Sequence, residues 1–153
     1  MQRALNPKAV GIFLSFSTML GCNSDVKPDK LAGTWLMTTE SRAYLPPEVT
    51  KSSGKIVLDS NGHFTASDLP EEMRQYGSRP EVRLDSGIGL WRLAFWDGAQ
   101  HVQLEFQQLS IKGRQDQHAY GFPLIVSKGW SGTTLYYSLG DPDDARRVIF
   151  EKQ

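Results

Sequence analysis

The sequence predicts an all-β domain, an up-and-down antiparallel barrel of about eight short strands with one short helix; a β-sandwich is the alternative. Three observations point there. Polar and apolar residues alternate cleanly along 101–106, and bulky apolar residues recur with a period of two at 91, 93 and 95, at 135, 137 and 139, and at 148 and 150. Turn-forming pairs such as Asn61-Gly62 and Asp97-Gly98 interrupt the chain between apolar runs. Helical periodicity in the polar part of the chain is confined to 68–77. Closure into a barrel is favoured because it leaves no strand edge exposed.

The first strand is expected at 31–39, rich in Thr and aliphatic side chains. A long loop follows at 41–53, stiffened by Pro46-Pro47, which cannot donate to a ladder. Strands at 55–58 and 63–66 flank Asp59-Ser60-Asn61-Gly62, a hairpin turn in which Asn-Gly adopts positive φ at low cost. The predicted helix at 68–77 has Asp68 as cap, Glu71 at capping-box spacing, Pro70 in the first turn and Gly77 at the end. Its Leu69, Met73 and Tyr76 share one face, which must pack on something because two turns do not hold alone.

Beyond Gly87 the pattern is β throughout. Trp91, Leu93 and Phe95 form one aromatic face; Val102, Leu104 and Phe106 point inward on the next strand. A polar loop covers 113–117, and a strand covers 122–127. The turn at 129–132 leads into 133–139, where Leu135, Tyr137 and Leu139 share a face. After the wide turn at 140–144, Val148 and Phe150 point inward on the last strand.

The N-terminal end has a different character. Arg3 and Lys8 precede an apolar run of about a dozen residues, shorter than the ~18–20 that a membrane span needs. The run ends at Met19-Leu20-Gly21-Cys22, and the sequence then turns polar. This stretch resembles the lipobox of bacterial lipoproteins. The resemblance implies that 1–21 is a signal peptide, that Cys22 receives a diacylglycerol on sulfur after which the chain is cut before it, and that 22–29 is a lipidated tether. Asn23 stands where Asp would favour retention in the inner membrane, so the family pattern implies an outer-membrane anchor facing the periplasm. Seven tether residues reach at most ~25 Å, which keeps a domain at 30–153 close to the bilayer.

The chain has 17 basic and 17 acidic residues; the first 21 hold two of the basic ones and no acid. Near-neutral charge argues against a nucleic-acid footprint. One cysteine in 153 residues cannot form an intrachain disulfide, so the fold must stand on packing.

Gly33-Thr34-Trp35 resembles the Gly-x-Trp signature on the first strand of lipocalin and calycin barrels. The resemblance implies that Trp35 closes the base of the barrel against a basic residue of the last strand. Arg146, in parity with Val148 and Phe150, is the nominated partner, with Arg147 as fallback. It further implies carriage of a small apolar ligand or lipid, and Trp91, Phe95, Phe106 and Met73 are the candidate contacts. The aromatic face could equally fill the barrel, leaving an envelope protein that meets a partner through an exposed Trp96 or Trp130.

Catalytic and metal patterns are weak. His63, His101 and His118 have no partner at metal-ligand spacing and read as surface histidines. Asp141, Asp143 and Asp144 fit an Asp-Pro-Asp turn better than a calcium loop. Gly129-Trp130-Ser131-Gly132-Thr133 has Thr133 where a nucleophile elbow needs Gly. The expected protein is a non-catalytic envelope lipoprotein without cofactor, metal or nucleic-acid partner, held to the membrane through Cys22.

Overall fold

The computed structural model describes residues 25–47, 53–70, 73, 84–111, 114–116 and 120–153. A four-residue helix α1 (Pro28–Leu31) leads into strand β1 (Gly33–Met37). Strands β2 (Lys55–Leu58), β3 (His63–Pro70), β4 (Leu84–Trp96) and β5 (Ala99–Ile111) follow. The short β6 (Arg114–Asp116) precedes β7 (Tyr120–Gly129), β8 (Gly132–Ser138) and β9 (Arg147–Lys152). All pairings are antiparallel; they join strands adjacent in sequence except that β5 pairs with β7 past β6 and β9 returns to pair with β1. Eight strands therefore close a ring, while β6 hangs on the end of β5 outside it.

The two ends of the barrel differ. At the base lie the tight turns β2–β3, β4–β5 and β7–β8, the entry of β1 and the end of β9. The longer connections β1–β2, β3–β4, β5–β7 and β8–β9 leave from the far end. The Asn61-Gly62 turn forms as expected: Asp59 Oδ1 accepts from the backbone N–H of Asn61 and His63, each at 2.8 Å, and Gly62 has φ 84°. The first long connection begins with a 3₁₀ turn, Glu40–Tyr44. Its Ser41 Oγ accepts from the Ile149 N–H at 2.7 Å, tying that connection to β9.

The helix predicted at 68–77 does not begin there. Asp68, Leu69 and Pro70 continue β3, with Leu69 opposite Asp85 and Pro70 opposite Leu84. Asp68 sits in a bulge at φ 55°, and its N–H donates to Ser86 Oγ at 3.1 Å. A left-handed residue with a hydrogen-bonding side chain of its own is what a bulge tolerates. Met73 is buried; the remainder of that segment lies outside the described residues. The described α-helix falls instead at Pro28–Leu31, in and just after the stretch expected to be tether. Pro28 suits a helix start because its missing N–H would have no partner there.

The core is the barrel interior. Trp35, Ile56, Leu58, Phe64, Leu104, Leu124, Leu135 and Phe150 are fully enclosed, each on the inward parity of its strand. Inward and outward alternate as expected on β5, β8 and β9, and also on β2. Leu109 also faces in, one step off the parity of Phe106, because β5 carries an extra residue, Gln107, between the partners of Ile88 and Gly89.

Candidate functional site

The base of the barrel is sealed by a small constellation built from both chain ends. Trp35 is wholly buried, and its indole Nε1 donates to the Leu31 carbonyl at 2.8 Å. Leu31, also wholly buried, drops from α1 into the core. From the last strand, Lys152 Nζ stands 5.9 Å from the centre of a Trp35 ring and donates to the Lys30 carbonyl at 2.8 Å. One ammonium thus caps the C-terminal end of α1 and faces the indole π-system. Gly33, at φ 142°, makes the crossing possible: a Cβ there would come within 2.6 Å of Lys152 Cε.

Arg146, nominated as the partner of Trp35, is not there. It precedes β9, is exposed, and pairs with Asp144 at 3.0 Å. Arg147 faces outward and lies 4.6 Å over Tyr136. The inward parity was right, but it runs through Val148 and Phe150 to Lys152. Antiparallel pairing sets Trp35 opposite Lys152, six residues from Arg146 at the other end of the strand.

Higher in the barrel the inward aromatic side chains meet in a row. Phe64 and Phe106 pack edge to face at 4.9 Å, Phe106 and Phe122 lie 6.1 Å apart, and Phe122 meets Tyr137 at 5.9 Å. Each such pair contributes about 0.5–1.5 kcal/mol beyond its buried area. The row is pressed against β4. A Cβ on Gly89 would lie 2.8 Å from Phe64 and 2.0 Å from the Glu105 carbonyl, and one on Gly87 would lie 2.7 Å from the Phe106 ring.

The four candidate ligand contacts are therefore separated. Phe106 belongs to the aromatic row, and Met73 is buried in the same core. Trp91 is buried toward the base, where its Nε1 donates to the Asp59 carbonyl at 2.9 Å. Phe95 does not face the interior; it is 67 % exposed. Pairing of β4 with β3 stops at Leu90, so the β4–β5 ribbon runs on past the rim and leaves Phe95 outside.

His63 is exposed beside Asp59 at 3.6 Å, and His118 lies outside the described residues. His101, expected on the surface, is buried: it stacks on Trp96 with ring centres 3.7 Å apart. Desolvation pushes its pKa below the usual histidine value, against weaker opposing effects of the Ala99 carbonyl and Asp97. Asp141 Oδ1 accepts from the Asp143 N–H at 3.0 Å, as an Asp-Pro-Asp turn requires. The Gly129–Gly132 stretch is a hairpin turn between β7 and β8. Among the described residues no three His, Cys, Asp or Glu side chains gather as a metal site.

Two contributors escaped the sequence reading. Lys152 could have been found by extending the β9 parity to its end. Gln100 could not: its side-chain amide clasps the backbone of Val26, accepting from its N–H at 2.7 Å and donating to its carbonyl at 3.1 Å. Nothing local marks a contact between residues so far apart. Cys22 lies outside the described residues, three positions before the first of them, Asp25. The site as a whole is a plugged base under a closed antiparallel barrel, with an aromatic interior above it. Comparison with protein-family models, curated proteins and solved structures finds no match to this chain.

Proposed function

We propose that the chain is a non-catalytic envelope lipoprotein, acylated on Cys22 and anchored in a bacterial outer membrane, whose lipocalin-like barrel binds or carries a small apolar molecule. The observation that carries this reading is the asymmetry of the barrel. The base is sealed by Leu31, Trp35 and Lys152, so on this reading a ligand enters from the opposite end. The lipocalin resemblance gains support from the Trp35–Lys152 pair, because it has the chemistry and strand placement that the Gly-x-Trp tripeptide implies. Phe106 and Met73 remain the candidate ligand contacts. Trp91 serves the base, and Phe95 has another role.

A second reading, a filled barrel that meets a partner through its outer surface, is favoured by Trp130, which stands fully exposed at the tip of β7–β8. The rings pressed against Gly87 and Gly89 also favour it. Two measurements test the proposal. Labelled palmitate should enter the wild-type protein and fail to enter Cys22→Ser; equal labelling would end the anchor reading. Native mass spectrometry of the 23–153 domain after exposure to lipid extract should show a one-to-one apolar adduct. A clean apo mass, with a specific envelope protein retained, would favour the filled barrel.

A further inference from the structure

We propose that the base of the barrel is the face laid against the bilayer. Trp130 and Phe95 enter the interfacial region, Lys27, Lys30 and Lys128 meet anionic headgroups, and the far end points away from the membrane. This deepens the functional reading above and rests on its anchor at Cys22. The argument starts from reach. A tether of seven free residues would allow many orientations, but the Gln100 clasp fixes Val26 and α1 begins at Pro28. Only the step from Cys22 to Asp25 is left, at most ~11 Å for three residues at full extension.

The barrel is longer than that leash. Strand β5 has 13 residues, roughly 43 Å along the strand at ~3.3 Å each, and a strand tilt of ~35–45° still leaves about 30 Å of height. An anchor at Cys22 cannot bring the far end to the membrane. It holds the base there.

The surface of the base suits that neighbour. The largest exposed aromatic side chains in the described chain, Trp130 (109 %) and Phe95 (67 %), both project from hairpins at this end. They flank the departing chain: Asp25 shares one small recess with Phe95 and Lys128, and a hollow of about 730 Å³ with Lys128 and Ser131. Lys27, Lys30, Lys128 and Lys152 line that hollow, against Asp25, Asp29 and Glu151. Tryptophan and lysine are the side chains that settle at a membrane–water interface, and lysines are attracted to anionic lipid. The arrangement also gives Phe95 a role that the barrel interior does not.

The test uses the full chain, processed in a bacterial host and reconstituted into phosphatidylethanolamine–phosphatidylglycerol vesicles in which part of the lipid is brominated. Intact mass reports acylation at Cys22, and tryptophan fluorescence reports contact with lipid. Trp35 and Trp91 are buried and Trp96 is stacked on His101, so Trp130 should dominate quenching by brominated lipid. Quenching should fall by about half or more in Trp130→Phe, and adding Tyr44→Trp, which places an indole at the far end, should not restore it. Trp130 is at an exposed hairpin tip, so its replacement leaves the core untouched. An acylated protein in which wild type and Trp130→Phe are quenched alike, or in which Tyr44→Trp restores quenching, would overturn the orientation while the anchor stands. A chain that carries no acyl group and separates from the vesicles would remove the anchor and the orientation together.

Discussion

His101 shows how far a single side chain can depart from its sequence context. On the outer face of β5 it should meet water, yet the Trp96 ring covers it. Burial disfavours the imidazolium, so the folded state holds His101 neutral where an unfolded chain, with its ordinary value of 6.5, takes up a proton. The unfolded state then binds more protons, and stability is lost as pH falls through about 6.5 toward the lowered folded value. Thermal melts should show the midpoint dropping from about pH 7.5 to pH 5, with a shallower slope in His101→Phe. An unchanged slope would show that His101 pays no penalty for its burial. Trp35 was legible from its tripeptide and position. Phe95 was misread because parity says which way a side chain points and not whether a wall stands opposite it.

At the scale of elements, strands were easier to read than helices. Alternation and the Asn-Gly turn located most of the ring, since both are local consequences of pleat and φ. The helix reading at 68–77 failed at its start because Leu69 and Pro70 gain more by extending β3 along β4 than by capping an isolated two-turn helix. Conversely, α1 has only four residues and too little periodicity to be seen; it exists because Leu31 fills the base and Trp35 and Lys152 take up its carbonyls. Replacing the cation tests this seal. Lys152→Met keeps the chain length over Gly33 and removes the charge, and should cost about 1 kcal/mol, seen as a fall of roughly 3–4 °C in the melting midpoint. Arg146→Met should leave the midpoint within about 1 °C, because an exposed pair contributes little. The reverse ranking would return the role to Arg146.

For the whole molecule, the fold class was readable because a chain with a single cysteine and a series of short strands needs some way to hide its edges. Closure supplies it, yet the β1–β9 seam is short: it pairs Trp35, Leu36 and Met37 with Lys152, Glu151 and Phe150, and Thr38 and Gln153 add one backbone hydrogen bond each, to Ile149 and Thr34. Removing residues 147–153 should open the ring, expose the edges of β1 and β8, and take Val148 and Phe150 out of the core. The expected outcome is loss of cooperative unfolding, with aggregation in size-exclusion chromatography. A soluble truncation with a sharp melt would mean that the seam contributes little. What stayed illegible was the use of the barrel, since carriage and a filled interior need the same inward aromatic side chains.

The Gln100 clasp on Val26 also decides where mechanical load enters. A pull on the chain ahead of Val26 would meet two parallel hydrogen bonds and a buried valine before α1, and α1 before β1. Were the chain anchored at Cys22 as proposed, this clasp would be the first contact to give under load, ahead of the ring of strands behind it.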